Sequence, residues 1–415
     1  MRVGILSQWF PPESGPASIP GVLARGLVKL GHDVTVLTGY PNYPTGSLYD
    51  GYSIRPWEDH HEHGYAIRRV ALYPDHSAKI SSRLLNYGSF AVSAAALGTS
   101  VLKGIDVLWV YNSPATVALP MWLAKGRYRV PIVLHNMDMW PDSVVHTGFA
   151  PAHGGRLLLG TLDRWVRAMY RSANLVAYIT PSAGDELFRR GVPRAKLRYS
   201  PVWVDGTIFR PRDGSDLRRS LGFSESEIVI GYAGALGRAQ GVVDLTRAVL
   251  DLPESIPIRC LILGSGTESD HLEEIARDHP SRISFLGQVP HEAMAEYSAV
   301  PDISFVGLSP GPQANYAAPS KVNAIMACGK PLLAATGGDT AEMITRTGTG
   351  FTVPPGDASA LRAALVAIAA EGRQGLADRG RDALAFSRAE LSTEVGIRRV
   401  AAILSECSIQ EGRRK

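Results

Sequence analysis

"RVGILSQWFPPESGPASIPGVLARGLVKLGHDVTVLTG", residues Arg2 to Gly39, reads as one complete β-α-β unit at the start of the chain. An apolar run over Arg2–Gln8 leads into a loop with Pro11, Pro12 and Gly15. An amphipathic segment from Pro16 and a second apolar run from His32 follow. Gly31 stands where a helix ends most easily, because glycine accepts the left-handed backbone at little cost. Two strands joined by such a crossover lie parallel in one sheet.

The alternation continues outward. Strands are expected at "AIRRVALY" (66–73), "VLWVYN" (107–112), "IVLHNM" (132–137) and "LVAYIT" (175–180), and "PSAGDELFRRG" (181–191) opens another helix. "LRYSPVWVDGTIFRP" (197–211) has Pro201, Gly206 and Pro211 and little helical periodicity, so it reads as a linker. The pattern then restarts with "EIVIGYAGAL", "IRCLILGSG", "ISFLGQV", "ISFVGLS", "KPLLAAT" and "GFTVP" as strands. Helix-length stretches such as "GVVDLTRAVLDL" and "DASALRAALVAIAAEG" separate them. The expected architecture is α/β, with two Rossmann-like doubly wound domains at residues 1–200 and 201–385, and ligand-binding loops beyond the carboxyl ends of the strands.

The 415 residues are 45% hydrophobic and 20% charged, as in an ordinary soluble enzyme. Cys260, Cys328 and Cys407 are widely spaced and include no Cys-x-x-Cys pair. They indicate neither a disulfide framework nor a zinc site, and point to a reducing, cytoplasmic setting. The N-terminus runs straight into a strand and lacks the pattern of a signal peptide. Residues 1 to 200 hold 21 Lys and Arg against 13 Asp and Glu, and the remainder hold 22 against 26. A basic first half suits an anionic surface or acceptor as well as plain solvated surface. No basic and aromatic array of a nucleic-acid binder accompanies it. "LLNYGSFAVSAAALGTSVLKG" (84–104) has the length of a membrane span but is interrupted by Asn86, Tyr87 and several hydroxyls. A helix packed in the domain or resting on a membrane surface fits it better.

Chemistry is sought in the strand-to-helix loops. "SQWFPPESGPAS" places Gly15 where backbone can approach a bound group. "GYAGALGRAQGVVD" combines Gly234, Gly237 and Gly241 with Arg238 before a helix, donors and charge that suit a phosphate. "LILGSGTESDHL" brings Gly264 and Gly266 to a strand end. "PSKVNAIMACG" starts a helix with Ser320 and Lys321, in a stretch with no carboxylate between Asp302 and Asp339. Singly, each could be a well-formed cap; three in one domain point to a phosphorylated ligand. In the first half, "IVLHNMDMWPDS" gathers His135, Asp138, Trp140 and Asp142 after a strand, a mixture suited to a binding cleft. "EDHHEHG" (58–64) reads as exposed polar surface. With no HExxH motif and no Asp-x-Asp pair, no metal site is expected.

Together, "GYAGALGRAQG", the "GSG" strand end, "FLGQVP" and "SKVNAIMACGKP" resemble the retaining glycosyltransferases of family 4, which have the GT-B fold. "PPESGPAS" and "MDMWPDS" resemble most the branch that builds bacterial surface polysaccharides such as colanic acid and O-antigen. The resemblance implies two Rossmann-like domains facing across a cleft, the first binding the acceptor and the second a UDP- or GDP-linked sugar. A final helix, 386–410, would pack back on the first domain. It further implies that Arg238, Ser320 and Lys321, with Gly15, hold the donor diphosphate, and that backbone near Gly264, Gly266 and Val289 holds the nucleoside. His135 would sit against the donor sugar with Asp138 beside it. No metal or separate cofactor is implied; the cations and helix-terminal amides would neutralise the leaving diphosphate.

Two departures from the family pattern stand out. Ala235 and Gln240 occupy the places of its arginine and lysine, and Tyr316 and Ala324 those of its Glu-x7-Glu pair. Three readings stay open: a transferase acting on a lipid-linked glycan, one acting on a soluble small molecule, and a non-catalytic nucleotide-sugar-binding protein. A cytoplasmic location with peripheral membrane contact through the first domain accompanies the first.

Overall fold

The computed structural model describes residues 1–77, 79–140, 155–290, 293–310 and 320–412. They fall into two compact units: Met1–Pro201 with the chain from Ile397 onward, and Val202–Gly396.

The first unit is built on β1 (Arg2–Leu6), β2 (Asp33–Gly39), β3 (Trp57–Glu62), β4 (Tyr65–Val70), β5 (Val107–Tyr111), β6 (Ile132–Asn136), β7 (Leu175–Tyr178) and β8 (Leu197–Tyr199). Their order is β3-β4-β2-β1-β5-β6-β7-β8. Every pairing is parallel except β3 with β4. β5 and β6 are buried at every residue, as strands covered on both faces must be.

Two strands lie where none was expected. β3 takes in most of the "EDHHEHG" stretch and is largely exposed; an edge strand needs no apolar alternation when a neighbour supplies its hydrogen bonds. His63 (φ 47°) and Gly64 (φ 83°) form its hairpin with β4, with the paired positive angles that two-residue hairpins favour. Arg68 on β4 grips Asp59 through two hydrogen bonds of 2.7 and 2.6 Å. β8 occupies the first residues of the stretch read as a linker, paired to β7 over three residues.

The apolar stretch after residue 80 is the helix Ile80–Ser93, extended by a wider turn over Ala94–Gly98 and a tighter one over Thr99–Leu102. Among the described residues no helix is long and apolar enough to cross a membrane. The last helix, Thr393–Gly412, contributes to the first unit from Ile397. There Ile397 packs where Gly26 leaves no room for a Cβ. Arg198 Nε donates to Glu406 at 2.7 Å and Asn174 Nδ2 to Glu411 at 3.0 Å.

The second unit has six parallel strands, β9 (Ile228–Ala233), β10 (Ile258–Leu263), β11 (Ile283–Gly287), β12 (Ile303–Gly307), β13 (Leu332–Ala335) and β14 (Gly350–Val353). Their order is β11-β10-β9-β12-β13-β14. All carboxyl ends therefore lie along one edge and all amino ends along the other. The helices Val242–Leu250 and Ala358–Phe386 bury their apolar faces on this sheet, the second bending at Gly372 (φ 71°).

Candidate active site

In the second unit, the glycine loops at the carboxyl edge pack backbone against backbone. A Cβ on Gly264 would overlap the Gly234 carbonyl, and one on Gly266 would overlap that of Leu236. Gly234 (φ 139°) and Gly264 (φ 135°) also need angles that side-chain-bearing residues avoid. The loops are stitched by Gly234 N to Leu263 O (3.0 Å), Leu236 N to Ser265 O (2.9 Å) and Gly264 N to Gly287 O (2.7 Å). Gly237 N donates to Gln240 Oε1 at 3.1 Å, and Gly266 N to Ser269 Oγ at 2.8 Å. These glycine amides are committed within the fold. The glycines shape the loops by close approach more than by offering donors.

Lys321, in the first turn of the helix Ser320–Ala327, lies over the Tyr232 ring, 4.3 Å from its centroid. Its Nζ donates to the Tyr232 hydroxyl at 2.8 Å, and that hydroxyl donates to the Ala235 carbonyl. A Cβ on Gly234 would collide with Nζ, so the glycine makes space for the ammonium. Burial lowers the Lys321 pKa to about 8. Lys321 and the 234 and 264 loops thus form one cluster, with Tyr232 as a member the sequence reading missed. The available signal was a tyrosine ahead of the glycine in "GYAG", at the end of a strand.

Arg238 lies apart from that cluster. It opens the short turn Arg238–Gln240, its side chain is 95% exposed, and its nearest carboxylate, Glu268, is 3.8 Å away. With Gly241, Gly307, Ser309 and Gly356 it lines a narrow recess at the same edge of the sheet. Val289 packs on the small cluster of Phe223, Val229, Leu261, Leu263 and Val300. Ala324 follows Lys321 by one helical turn, where only a methyl group is available. The Ser320 side chain, Tyr316 and Asp142 lie outside the described residues.

In the first unit, Gly15 (φ 65°) starts the turn Gly15–Ser18, and nothing crowds its open side. Glu13, which the sequence reading passed over, ties this loop to the next strand end. Its carboxylate accepts from the amides of Phe10 (2.9 Å), Asn42 (2.8 Å) and Tyr43 (2.8 Å). Burial pushes its pKa up to about 7 against those amides and Arg69.

His135, next to last in β6, is fully buried, its ring centroid 5.1 Å from that of Trp109 and 6.3 Å from that of Tyr111. Nε2 approaches the Ser200 carbonyl at 3.4 Å, which requires the proton on Nε2. Among the described residues, Nδ1 is left as a buried acceptor without a hydrogen-bond partner. Burial lowers its pKa to about 4, so the ring is neutral at physiological pH. Asp138 accepts from Ser113 Oγ at 2.7 Å, and burial holds its carboxyl above the ordinary range. Asn112 fixes the loop: its Oδ1 accepts from Met137 N (2.9 Å) and its Nδ2 donates to Asn136 (2.8 Å). No hydrogen bond joins His135 to Asp138 among the described residues.

Two doubly wound units in one chain make the GT-B fold. The chain belongs to the family 4 glycosyltransferases: residues 14–203 match the glycosyl transferase 4-like domain, and residues 227–371 match the glycosyl transferases group 1 model. It is a nucleotide-sugar-dependent enzyme of that family. It is 26% identical, over 79% of this chain and 82% of the relative, to the Escherichia coli K12 protein named as a colanic acid biosynthesis glycosyl transferase. A GDP-mannose-dependent alpha-mannosyltransferase of Mycobacterium tuberculosis is 25% identical over 86% and 85%. In fold it matches the Anabaena HepE structure solved with UDP, with a TM-score of 0.70 at 17% identity over 98% and 100% of the chains.

Proposed function

We propose that the chain transfers a hexosyl or amino-sugar unit from a UDP- or GDP-sugar to a lipid-linked glycan at a membrane surface. The Val202–Gly396 unit would hold the donor and the first unit the acceptor. The observation that carries the reading is Lys321, a half-buried ammonium seated on Tyr232 against Gly234, at a helix start free of carboxylates. A diphosphate there would meet a fixed positive charge, and the exposed Arg238 is free to swing onto its outer oxygens. These cations offset the charge growing on the leaving diphosphate, which is the main stabilisation such a transfer needs. Backbone near Gly264, Gly266 and Val289 is assigned to the nucleoside. In the first unit, the loop bearing Asp138 is assigned to the sugar, with the buried, neutral His135 as a positioning residue at its base. Retention of configuration is inferred from the family.

The test is binding of UDP and GDP, followed by thermal shift and calorimetry from pH 7 to 9. A ligand that binds the native state raises its melting temperature. The free Lys321 pKa lies near 8, below its unfolded value, so the folded state binds fewer protons than the unfolded state between about 8 and 10.5. Without ligand, this group's contribution to stability therefore rises with pH across that window. A bound diphosphate favours the charged ammonium, so binding takes up a proton and weakens as pH rises through 8. Affinity is expected to fall by about tenfold from pH 7 to 9, and Lys321→Arg, whose charge persists, flattens the profile. No shift with either nucleotide would sink the reading.

The lipid-linked acceptor draws support from the helix Ile80–Ser93, which turns Leu84 (58% exposed), Leu85 (53%) and Val92 (61%) outward, with Lys79 exposed at its start. An apolar face flanked by basic residues suits an anionic membrane interface. The protein is expected to co-sediment with phosphatidylglycerol vesicles, and Leu84→Ser with Val92→Ser to lose most of that binding. Absence of vesicle binding by the unaltered chain would favour the soluble-acceptor reading instead.

A further inference from the structure

The second unit carries a cavity of about 550 Å³ at the amino edge of its sheet, opposite the glycine loops. Asp302 just ahead of β12 and Lys330 and Pro331 just ahead of β13 line one side of it. Arg373, Leu376, Ala377, Arg381 and Leu384, on the helix Ala358–Phe386, line another, and Pro211 and Arg212 complete it. Four of its lining residues are cations and one is a carboxylate.

That carboxylate is already occupied. Asp302 Oδ2 accepts from Arg218 at 2.9 Å and Oδ1 accepts from Arg373 at 2.9 Å, and Arg373 also pairs with the exposed Glu225. Among the described residues Lys330 has no carboxylate in its hydrogen-bond shell, and it donates to the carbonyls of Ala299 and Pro301, each at 2.7 Å. Arg212 makes no ion pair among the described residues, and Arg381 shares only the exposed Asp378. The cavity thus has a surplus of positive charge, held on one side by a rigid ion-pair cluster. The Leu376, Ala377, Leu384 and Pro211 side supplies apolar surface. Its volume lies in the range of small-molecule sites.

We propose that this cavity is a second ligand site, separate from the nucleotide-sugar site, which takes a phosphomonoester. The phosphate would sit between Arg212 and Arg381 near Lys330, where guanidinium groups offer paired donors to its oxygens. An organic body would lie on the apolar wall.

The test is calorimetric titration of the full chain with inorganic phosphate and with ribose 5-phosphate, without nucleotide sugar and at matched ionic strength in chloride. Saturable binding is expected, weakened at least about tenfold in the double variant Arg212→Ala/Arg381→Ala and retained in Lys321→Ala, which removes only the phosphate taken up at the nucleotide-sugar site. Both arginines are exposed, so their removal should leave the fold intact, and an unchanged melting temperature checks this. Tighter binding of ribose 5-phosphate identifies an organic phosphoester as the ligand; equal binding identifies free phosphate. No saturation by either probe, equal binding by the double variant, or loss of binding in Lys321→Ala would overturn the proposal. Because the donor site is probed separately by UDP and GDP, failure of one proposal leaves the other standing.

Discussion

Lys321→Ala is expected to lower sugar transfer by roughly 10²- to 10³-fold, the scale seen when one preorganised donor to a developing anion is removed. Its ammonium is oriented before any ligand arrives: Tyr232 supplies a ring face and a hydroxyl, and Gly234 leaves room for Nζ. Preorganisation of this kind acts on the departing diphosphate, so the loss should appear in kcat and persist at saturating donor. The side chain is only half-buried and pairs with no carboxylate among the described residues, so the fold should survive. The measurement is nucleotide release with a matched melting curve. A variant that turns over at the full rate would remove Lys321 from the reaction. Tyr232→Phe keeps the ring and deletes the hydroxyl, so a smaller fall is expected from it.

Asp302→Ala is expected to cost the second unit about 3–5 kcal/mol, because it breaks a buried pair and leaves a charge uncompensated. Arg218, 3% exposed, would lose its only carboxylate partner among the described residues, and the amide of Val229 would lose its 2.8 Å acceptor. Arg218 still donates to the carbonyls of Val300, Ser224 and Glu227, so it would stay buried with its charge unmatched. A fall in melting temperature on the order of 10 °C follows for a unit of this size. Glu225→Ala is the contrast. Its carboxylate is mostly exposed, so water already screens its pair with Arg373 and its removal should barely move the melting temperature. Equal losses in the two variants would contradict the assignment of Asp302 as the centre of the cluster.

Strands with apolar, β-branched runs were legible along the chain, because a strand buried on both faces must carry them. β3 was not legible, since its residues gain hydrogen bonds from β4 and bury almost nothing. β8 was hidden in a proline-containing stretch because three residues are too few to show a period. In the site, Lys321 and the glycines stood out by residue type and position. Their reasons for being there did not. Gly264 and Gly266 read as ligand-facing positions, yet each is required by the backbone of the neighbouring loop. His135 read as a cleft residue, yet its ring is sealed among Trp109 and Tyr111. Tyr232, Asn112 and Glu13 carried no motif, because their roles come from partners 25 to 89 residues away or from the geometry of adjoining loops.

The sequence by itself determined two doubly wound domains, which follow from periodicity and residue type along the chain, and carried the ordered motifs whose resemblance pointed to a glycosyltransferase family. Only the tertiary structure decided that Lys321 is set on Tyr232 with a lowered pKa, that Arg238 stands apart in solvent, and that a cationic cavity lies at the opposite edge of the same sheet. Burial and charge pairing arise between segments far apart in the chain, and no local pattern encodes them.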